Sequence, residues 1–366
     1  MNNNQGVIGI FPISCIIILS VGLMNHVLVI PPLLEAAERD AWLAVLASIL
    51  PYLLWIYVIY AVMKITKQQP FLSWLQHHYS TAVSWTVRIL FSVYLFSIAS
   101  ITLWETITWT HVSYLPRTPH VVLSTTLLLL CFNAVRYGIR AIAIASGILL
   151  PFVIIFGDFV MSSNLPRKNY WMLTPIMENG ISPLLQGGVF IGGGLAELVI
   201  ILLMQHHLKS PVRYWQMALL GLFLILLIIG PVTGAIAEFG PYEAASLRYP
   251  AYEEWRLVRI GKYITHVDFL SIYQWLSGAF IRISISIYLL LELMPVKKEK
   301  TKTVWALFIF VVLVIIMELP VSDMQFLTIL KHVYFPVSLT FVSLLSLGLF
   351  LLAILARQGK EKRHET

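Results

Sequence analysis

Ser20-Val21-Gly22-Leu23-Met24-Asn25-His26 and Gly192-Gly193-Gly194-Leu195-Ala196-Glu197 are the two stretches that decide how this chain folds. Each sets glycine in the middle of a long apolar run and follows it, within about one helical turn, with polar side chains. Glycine inside a helix costs about 1 kcal/mol relative to alanine, and three in succession invite the backbone to leave helical geometry. In lipid, such a departure is tolerated only where it is buried in protein or lines a polar cavity. Gly22 and Gly194 lie 172 positions apart, and the next apolar runs begin near 41 and 214, 173 apart, so the two interruptions share a register. Matched glycine breaks in the two halves of a membrane protein point to a solute site at the midplane. Close packing of small residues is the other use of such glycines; the shared register and the polar neighbours favour the cavity.

Outward from these stretches, the whole composition is apolar. Of 366 residues, 58% are hydrophobic and 12% charged, with a mean hydropathy of +0.82, against about 45–50% and about 25% in a soluble domain. A bilayer crossing takes about 20 apolar residues, and ten runs qualify, near 8–30, 41–63, 84–112, 119–135, 140–162, 184–206, 214–237, 268–293, 303–319 and 334–356. Alternating barrel strands are absent, so the fold class expected is an all-α polytopic membrane protein with ten transmembrane helices. Five spans fall on each side of the loop 163–183. Because five is odd, a second copy of the unit lies upside down relative to the first, the five-plus-five inverted repeat of secondary transporters, with broken first and sixth helices. The expected organisation is a single transmembrane domain over 1–366, with repeat one at 8–162, repeat two at 184–356, an outer loop at 238–267 and a cytoplasmic tail at 357–366.

Positive loops stay cytoplasmic. With both ends inside, the inner segments carry 14 Lys and Arg and the outer segments nine, Arg88 and Arg282 lying within spans. Both termini are therefore expected in the cytoplasm. The same bias explains the net charge of +7, so no nucleic-acid partner is expected. The first apolar run follows an uncharged MNNNQG start and lacks a cleavage site, which reads as a retained helix rather than a signal peptide. Cys15 and Cys131 sit in separate apolar spans and read as small buried hydrophobes.

Ionisable groups at membrane depth are costly unless paired or facing a cavity. Glu105, Glu197 and Arg282 fall at roughly one depth on spans three, six and eight, and are expected to border one polar cavity, with Arg282 offsetting one or both carboxylates. A structural ion pair is the alternative for Arg282. Thr102 and Thr108 share the helical face of Glu105, and Ser277, Ser284 and Ser286 lie on span eight; such hydroxyls suit a small zwitterion. The residues expected at the ligand site are Ser20, Val21, Gly22, Leu23, Asn25, Ile101, Glu105, Gly192, Gly193, Gly194, Glu197, Ser277, Gly278 and Arg282. Asp158, near the outer end of span five, reads as interfacial.

Other chemistry finds little support. His77-His78 and His206-His207 lie at inner span ends without an HExxH or a carboxylate cluster, so no metal or cofactor is expected. No nucleophile elbow, P-loop or dinucleotide fingerprint is present, and the chain does not read as an enzyme. Pro31-Pro32 reads as the end of the outer half of span one. The loop from Glu238 to Asp268 is too long for a tight connection, mixes aromatics with both charge signs, and reads as an ordered outer lid or docking surface with a helical stretch from Trp255 to Ile260.

Several of these features occur together in one known family. The glycine break in span one with the following prolines and the acidic loop ending in Asp40-Ala41-Trp42, Glu105 in span three, Gly194 to Glu197 in span six, Tyr249-Pro250, and Phe269-Leu-Ser-Ile-Tyr-Gln-Trp275 entering span eight resemble the B subunit of GerA-type spore germinant receptors. The resemblance covers nearly the whole chain. That family is similar to amino-acid/polyamine/organocation transporters with a LeuT-like fold. The resemblance implies a nutrient sensor in the inner membrane of a bacterial endospore, acting with an A subunit and a lipoprotein C subunit on a small nutrient ligand, an amino acid by expectation. The rival expectation is an amino-acid or polyamine permease of the same fold.

Overall fold

The computed structural model describes residues 8–261, 266–296 and 298–365, with side chains as far as residue 358. The MNNNQG start, and Lys262, Lys297 and the side chains of Lys360, Lys362 and Arg363, five of the cations counted for the orientation, lie outside the described residues. Among those described, nine helices are long and apolar enough to cross a membrane, and a pair bent by 41°, Ile30–Ala47 with Ile49–Ile65, makes a tenth. The protein is thus an all-α polytopic membrane protein. Its described residues hold no strand; Ile8 and Leu208 form an isolated bridge.

Span one is Ile10–Leu28, followed by the helical segment Ile30–Ala37, and span two runs from Ala41 through the bend to Ile65. Spans three to ten are Thr81–Ser113, His120–Tyr137, Ile139–Arg167, Ser182–His207, Tyr214–Phe239, Leu270–Leu293, Glu299–Met317 and Asp323–Gln358. Spans six and eight are the most enclosed, and four, five, nine and ten the most peripheral. Gly138, with φ +79°, takes the left-handed turn that a side chain resists and lets span five start where span four stops.

The two expected interruptions stand in register but in a milder form. Met24–Leu28 is wound as a π-helix and Ala196–Ile200 as a 3-10 helix. Each begins two residues after its glycine, Gly22 or Gly194, and each is five residues long. The chain does not unwind: the amide of Val29 still donates to the Met24 carbonyl at 3.0 Å. Away from water a free amide costs several kcal/mol, so a tighter or wider turn that keeps its hydrogen bonds is favoured over an open one. The prolines also differ from expectation. Pro31 and Pro32 open the segment Ile30–Ala37 rather than closing span one, because the first helical turn needs no amide hydrogen there.

Span ten starts at Asp323, eleven residues before the expected boundary. Ser322 and Gln325 form a capping box there, and a second π turn at Leu330–Tyr334 carries the helix past Lys331. Lys331 pairs with Glu35, which lets a charge sit inside the helix that the hydropathy reading had placed in a loop.

The outer loop is ordered over its described part. Pro241–Ser246 and Pro250–Leu257 are helices, each opened by its proline; the second precedes the expected Trp255 to Ile260 stretch for that reason. Trp255, Val258 and Val267 pack with Val160 of span five into a small apolar cluster beneath it.

Candidate functional site

Glu197 stands in the 3-10 turn of span six and Arg282 at mid-length of span eight, both excluded from solvent. The guanidinium holds the carboxylate with two hydrogen bonds, Nη2 to Oε1 and Nη1 to Oε2. It also donates from Nε to Thr102 Oγ1 of span three at 2.6 Å and from Nη1 to the Ser20 carbonyl of span one at 2.9 Å. Tyr334, at the end of the π turn in span ten, donates to Glu197 Oε1 at 2.9 Å. Beside it, Ser338 Oγ donates to the Gly193 carbonyl and meets Tyr94 Oη, each at 3.0 Å. One buried network therefore joins spans one, three, six, eight and ten. A bidentate pair with its remaining donors and acceptors satisfied is the arrangement in which a buried charge persists.

Glu105 is buried a turn further along span three, and its partner is not Arg282. Arg248, in the outer loop, donates from Nη2 to Glu105 Oε2 at 2.8 Å and forks onto Asp323 at the start of span ten, at 3.0–3.2 Å. Its guanidinium carbon lies 4.3 Å from the centre of the Tyr249 ring. Burial works against the Arg248 charge, but Glu105 and Asp323 outweigh it and hold the guanidinium above its ordinary range. Next to Glu105, Leu23, Val27, Leu28, Thr102, Glu105, Thr106 and Trp275 line a small void of about 10 Å³, room for about one water. Glu105 Oε1, Thr106 Oγ1 and Arg248 Nη1 are buried without a hydrogen-bond partner. Trp275 of the lining stacks on Trp109 at 4.0 Å, and Trp104 stacks on Phe326 at 3.8 Å.

The expected site residues thus divide. Ser20, Glu197 and Arg282 meet in the ion-pair network, while Leu23 and Glu105 border the void. The shared cavity expected for Glu105, Glu197 and Arg282 is replaced by two neighbouring clusters, because Arg282 spends its donors on Glu197, Thr102 and Ser20. The glycines serve close packing. A β-carbon at Gly194 would stand 2.5 Å from Val29 Cγ2 and 2.7 Å from Asn25 Oδ1; at Gly193, 2.6 Å from the Phe335 carbonyl oxygen. Gly22 backs onto Leu227 of span seven, Gly192 onto Leu339 of span ten, and Gly278 onto Leu19 and Leu23 of span one. Asn25 is fully buried with neither side-chain polar atom hydrogen-bonded. Val21 and Ser277 are buried and Ile101 is half-buried, packed on the core. Asp158 is exposed.

Arg248, Asp323 and Tyr334 were not singled out by sequence. Arg248 reads as one more outer-loop cation, and its partner Glu105 is 143 residues away. Trp275 carried a signal, as the last residue of the motif entering span eight. A further grouping also escaped: Glu292 of span eight supplies the carboxylate that His206-His207 lacked in sequence.

Comparison with known proteins agrees with this architecture. The profile of the family described as spore germination protein matches residues 9–324. Spore germination protein XB of Bacillus anthracis is 40% identical over 348 residues, covering 95% of this chain and 96% of that protein. Spore germination protein KB of Bacillus subtilis (strain 168) is 22% identical over 262 residues, 69% of each chain. The ten-span chain with its buried polar centre belongs to the spore germination protein family.

Proposed function

We propose that this protein is the nutrient-sensing membrane subunit of a spore germinant receptor, built as an inverted repeat and seated in the inner membrane of the endospore with both termini cytoplasmic. Its ligand is a small α-amino acid bound between spans one, three and eight, under the Arg248 bridge. The observation that carries this reading is the void at Glu105, lined by Glu105 and Thr106, whose buried Oε1 and Oγ1 lack partners, with Arg248, whose Nη1 is also unpartnered, bonded to the same carboxylate. An ammonium group would donate to Glu105 Oε1 and Thr106 Oγ1, and a carboxylate would take Arg248 Nη1. Buried polar atoms left unpaired cost free energy that a ligand supplying the missing bonds recovers.

The void is too small for an amino acid as it stands, so binding requires the bridge from Arg248 to Glu105 and Asp323 to loosen. A ligand shifts such an equilibrium only by its differential affinity for the two packings. Because span ten carries both Asp323 and, at the end of its π turn, Tyr334, movement at the outer bridge is passed to the central network, and from there to A and C partner subunits. Germination of spores carrying Glu105→Gln or Arg248→Gln tests the reading. Either variant should raise the amino-acid concentration needed for half-maximal germination at least about tenfold, the loss of one charged hydrogen bond, with unchanged protein level. An unaltered response to every amino acid would remove the pocket. Uptake of labelled amino acid by vesicles holding this chain alone would instead make it a permease.

A further inference from the structure

His206 and His207 close span six in the turn Gln205–His207, and Glu292 lies on the last turn of span eight. His207 Nε2 is 3.0 and 3.1 Å from the two Glu292 oxygens, and His206 Nε2 is 3.7 Å from Oε1. One ligand atom from each residue falls within 4.8 Å of the others. A tetrahedral ion held at about 2.0–2.2 Å sets its ligand atoms roughly 3.3 Å apart, and the observed separations straddle that value. An ordinary ion pair would use one imidazole. Here a second ring lies beside the first, with centroids 3.9 Å apart and planes tilted by 40°, and its Nε2 faces the same carboxylate at 3.7 Å.

We propose that His206, His207 and Glu292 bind a divalent transition-metal ion of the zinc class, through two imidazole nitrogens and one carboxylate, leaving one position open. Two nitrogens and one oxygen suit zinc rather than magnesium or calcium, which take oxygen ligands. The surroundings hold the ligands in place. The His207 carbonyl accepts from the Ile8 amide at 3.0 Å and the Lys209 amide donates to the Ile8 carbonyl at 2.9 Å, fixing the histidine turn. Tyr288 Oη donates to Glu292 Oε1 at 3.1 Å, the kind of outer contact that orients a metal-binding carboxylate. Glu292 and Tyr288 also line a cavity of about 360 Å³ between the ends of spans four and eight and the start of span nine, with Gly138 and Thr303. That cavity gives an ion and its exchangeable water a route to the open position. Bound metal would tie spans six and eight together at their ends, as Glu197 and Arg282 tie them at the centre.

The full chain, purified in detergent without a histidine tag and stripped with chelator, is dialysed against Zn²⁺ and its metal content measured. Wild type and His77→Ala/His78→Ala should take up one Zn²⁺ per chain, and Co²⁺ in its place should show the absorption of a tetrahedral site. His206→Ala and Glu292→Gln should each weaken Zn²⁺ binding at least about tenfold, at or beyond the effect usual for outer-contact changes. Glu292→Gln keeps the side-chain shape, and monodisperse elution of each variant separates lost ligation from lost folding. Zn²⁺ uptake below one per chain by wild type, or equal uptake by wild type and a monodisperse Glu292→Gln, overturns the proposal.

Discussion

Glu197 and Arg282 show how much of this protein rests on single polar side chains. Each is buried, and each is stabilised by the other and by Thr102, the Ser20 carbonyl and Tyr334. Removing one charge leaves the other uncompensated, at about 3–5 kcal/mol. Glu197→Leu or Arg282→Met alone should therefore lower the amount of folded protein in membranes, read by immunoblot and by thermal denaturation in detergent. The double variant replaces the pair with apolar volume and should recover most of the loss. Failure of the double variant to exceed either single one would show that the network does more than neutralise two charges. At this scale the sequence was half legible. Charged residues inside apolar runs announced themselves, so Glu105, Glu197 and Arg282 could be found. Arg282 could be expected to offset a carboxylate, and it holds Glu197; the partner of Glu105 could not be read, because the Arg248 that reaches it is an ordinary loop cation until the outer helices fold over span three.

Spans one and six meet where each leaves α-helical winding, and the contact is set by what glycine lacks. Gly194→Ala would press on Val29 and Asn25, and overpacking of this kind costs about 1–3 kcal/mol. Adding Val29→Ala opens space for the new methyl, so the pair Gly194→Ala/Val29→Ala should melt higher than Gly194→Ala alone. Gly188→Ala, on the same helix with open space around it, should be neutral or stabilising by up to about 1 kcal/mol. The shared register of Gly22 and Gly194 was readable from sequence; the form of the distortion was not, because π and 3-10 turns differ from an open break only in how backbone hydrogen bonds are redistributed. The outer helix Pro250–Leu257 carries a different device. Glu254 is buried against Lys168 of the loop after span five, at 3.5 Å, with Glu238 3.3 Å from the same ammonium. Burial pushes the Glu254 carboxyl from 4.5 up to about 8, with Lys168 opposing. The docked helix thus holds a proton that an exposed carboxyl would release, and its docking weakens as pH rises from about 4.5 to about 8. Amide exchange in 250–257 should quicken over that interval more than intrinsic chemistry requires, and Glu254→Gln should remove the extra slope.

The molecule as a whole was the most legible level, because lipid imposes one rule on every residue it touches. Ten spans followed from hydropathy alone. Only the start of span ten was misplaced, where Asp323 and Lys331 are polar for reasons of partner, Arg248 and Glu35, that lie elsewhere in the chain. Orientation is open to a direct check. Cys15 and Cys131 are buried, so a single new cysteine reports alone. Trp171→Cys, at a site 83% exposed in the loop after span five, should react with a membrane-impermeant maleimide on intact cells, and Gln69→Cys only after permeabilisation. The reverse pattern would place both termini outside. The central claim, that Glu105 and Arg248 receive an amino acid under a bridge that opens, is tested most directly by equilibrium binding of radiolabelled amino acids to the full chain in lipid nanodiscs. The account predicts saturable binding of at least one amino acid, lost in Glu105→Gln and in Arg248→Gln while both variants remain folded. Equal binding by wild type and Glu105→Gln, or no binding across the amino-acid panel, would contradict it.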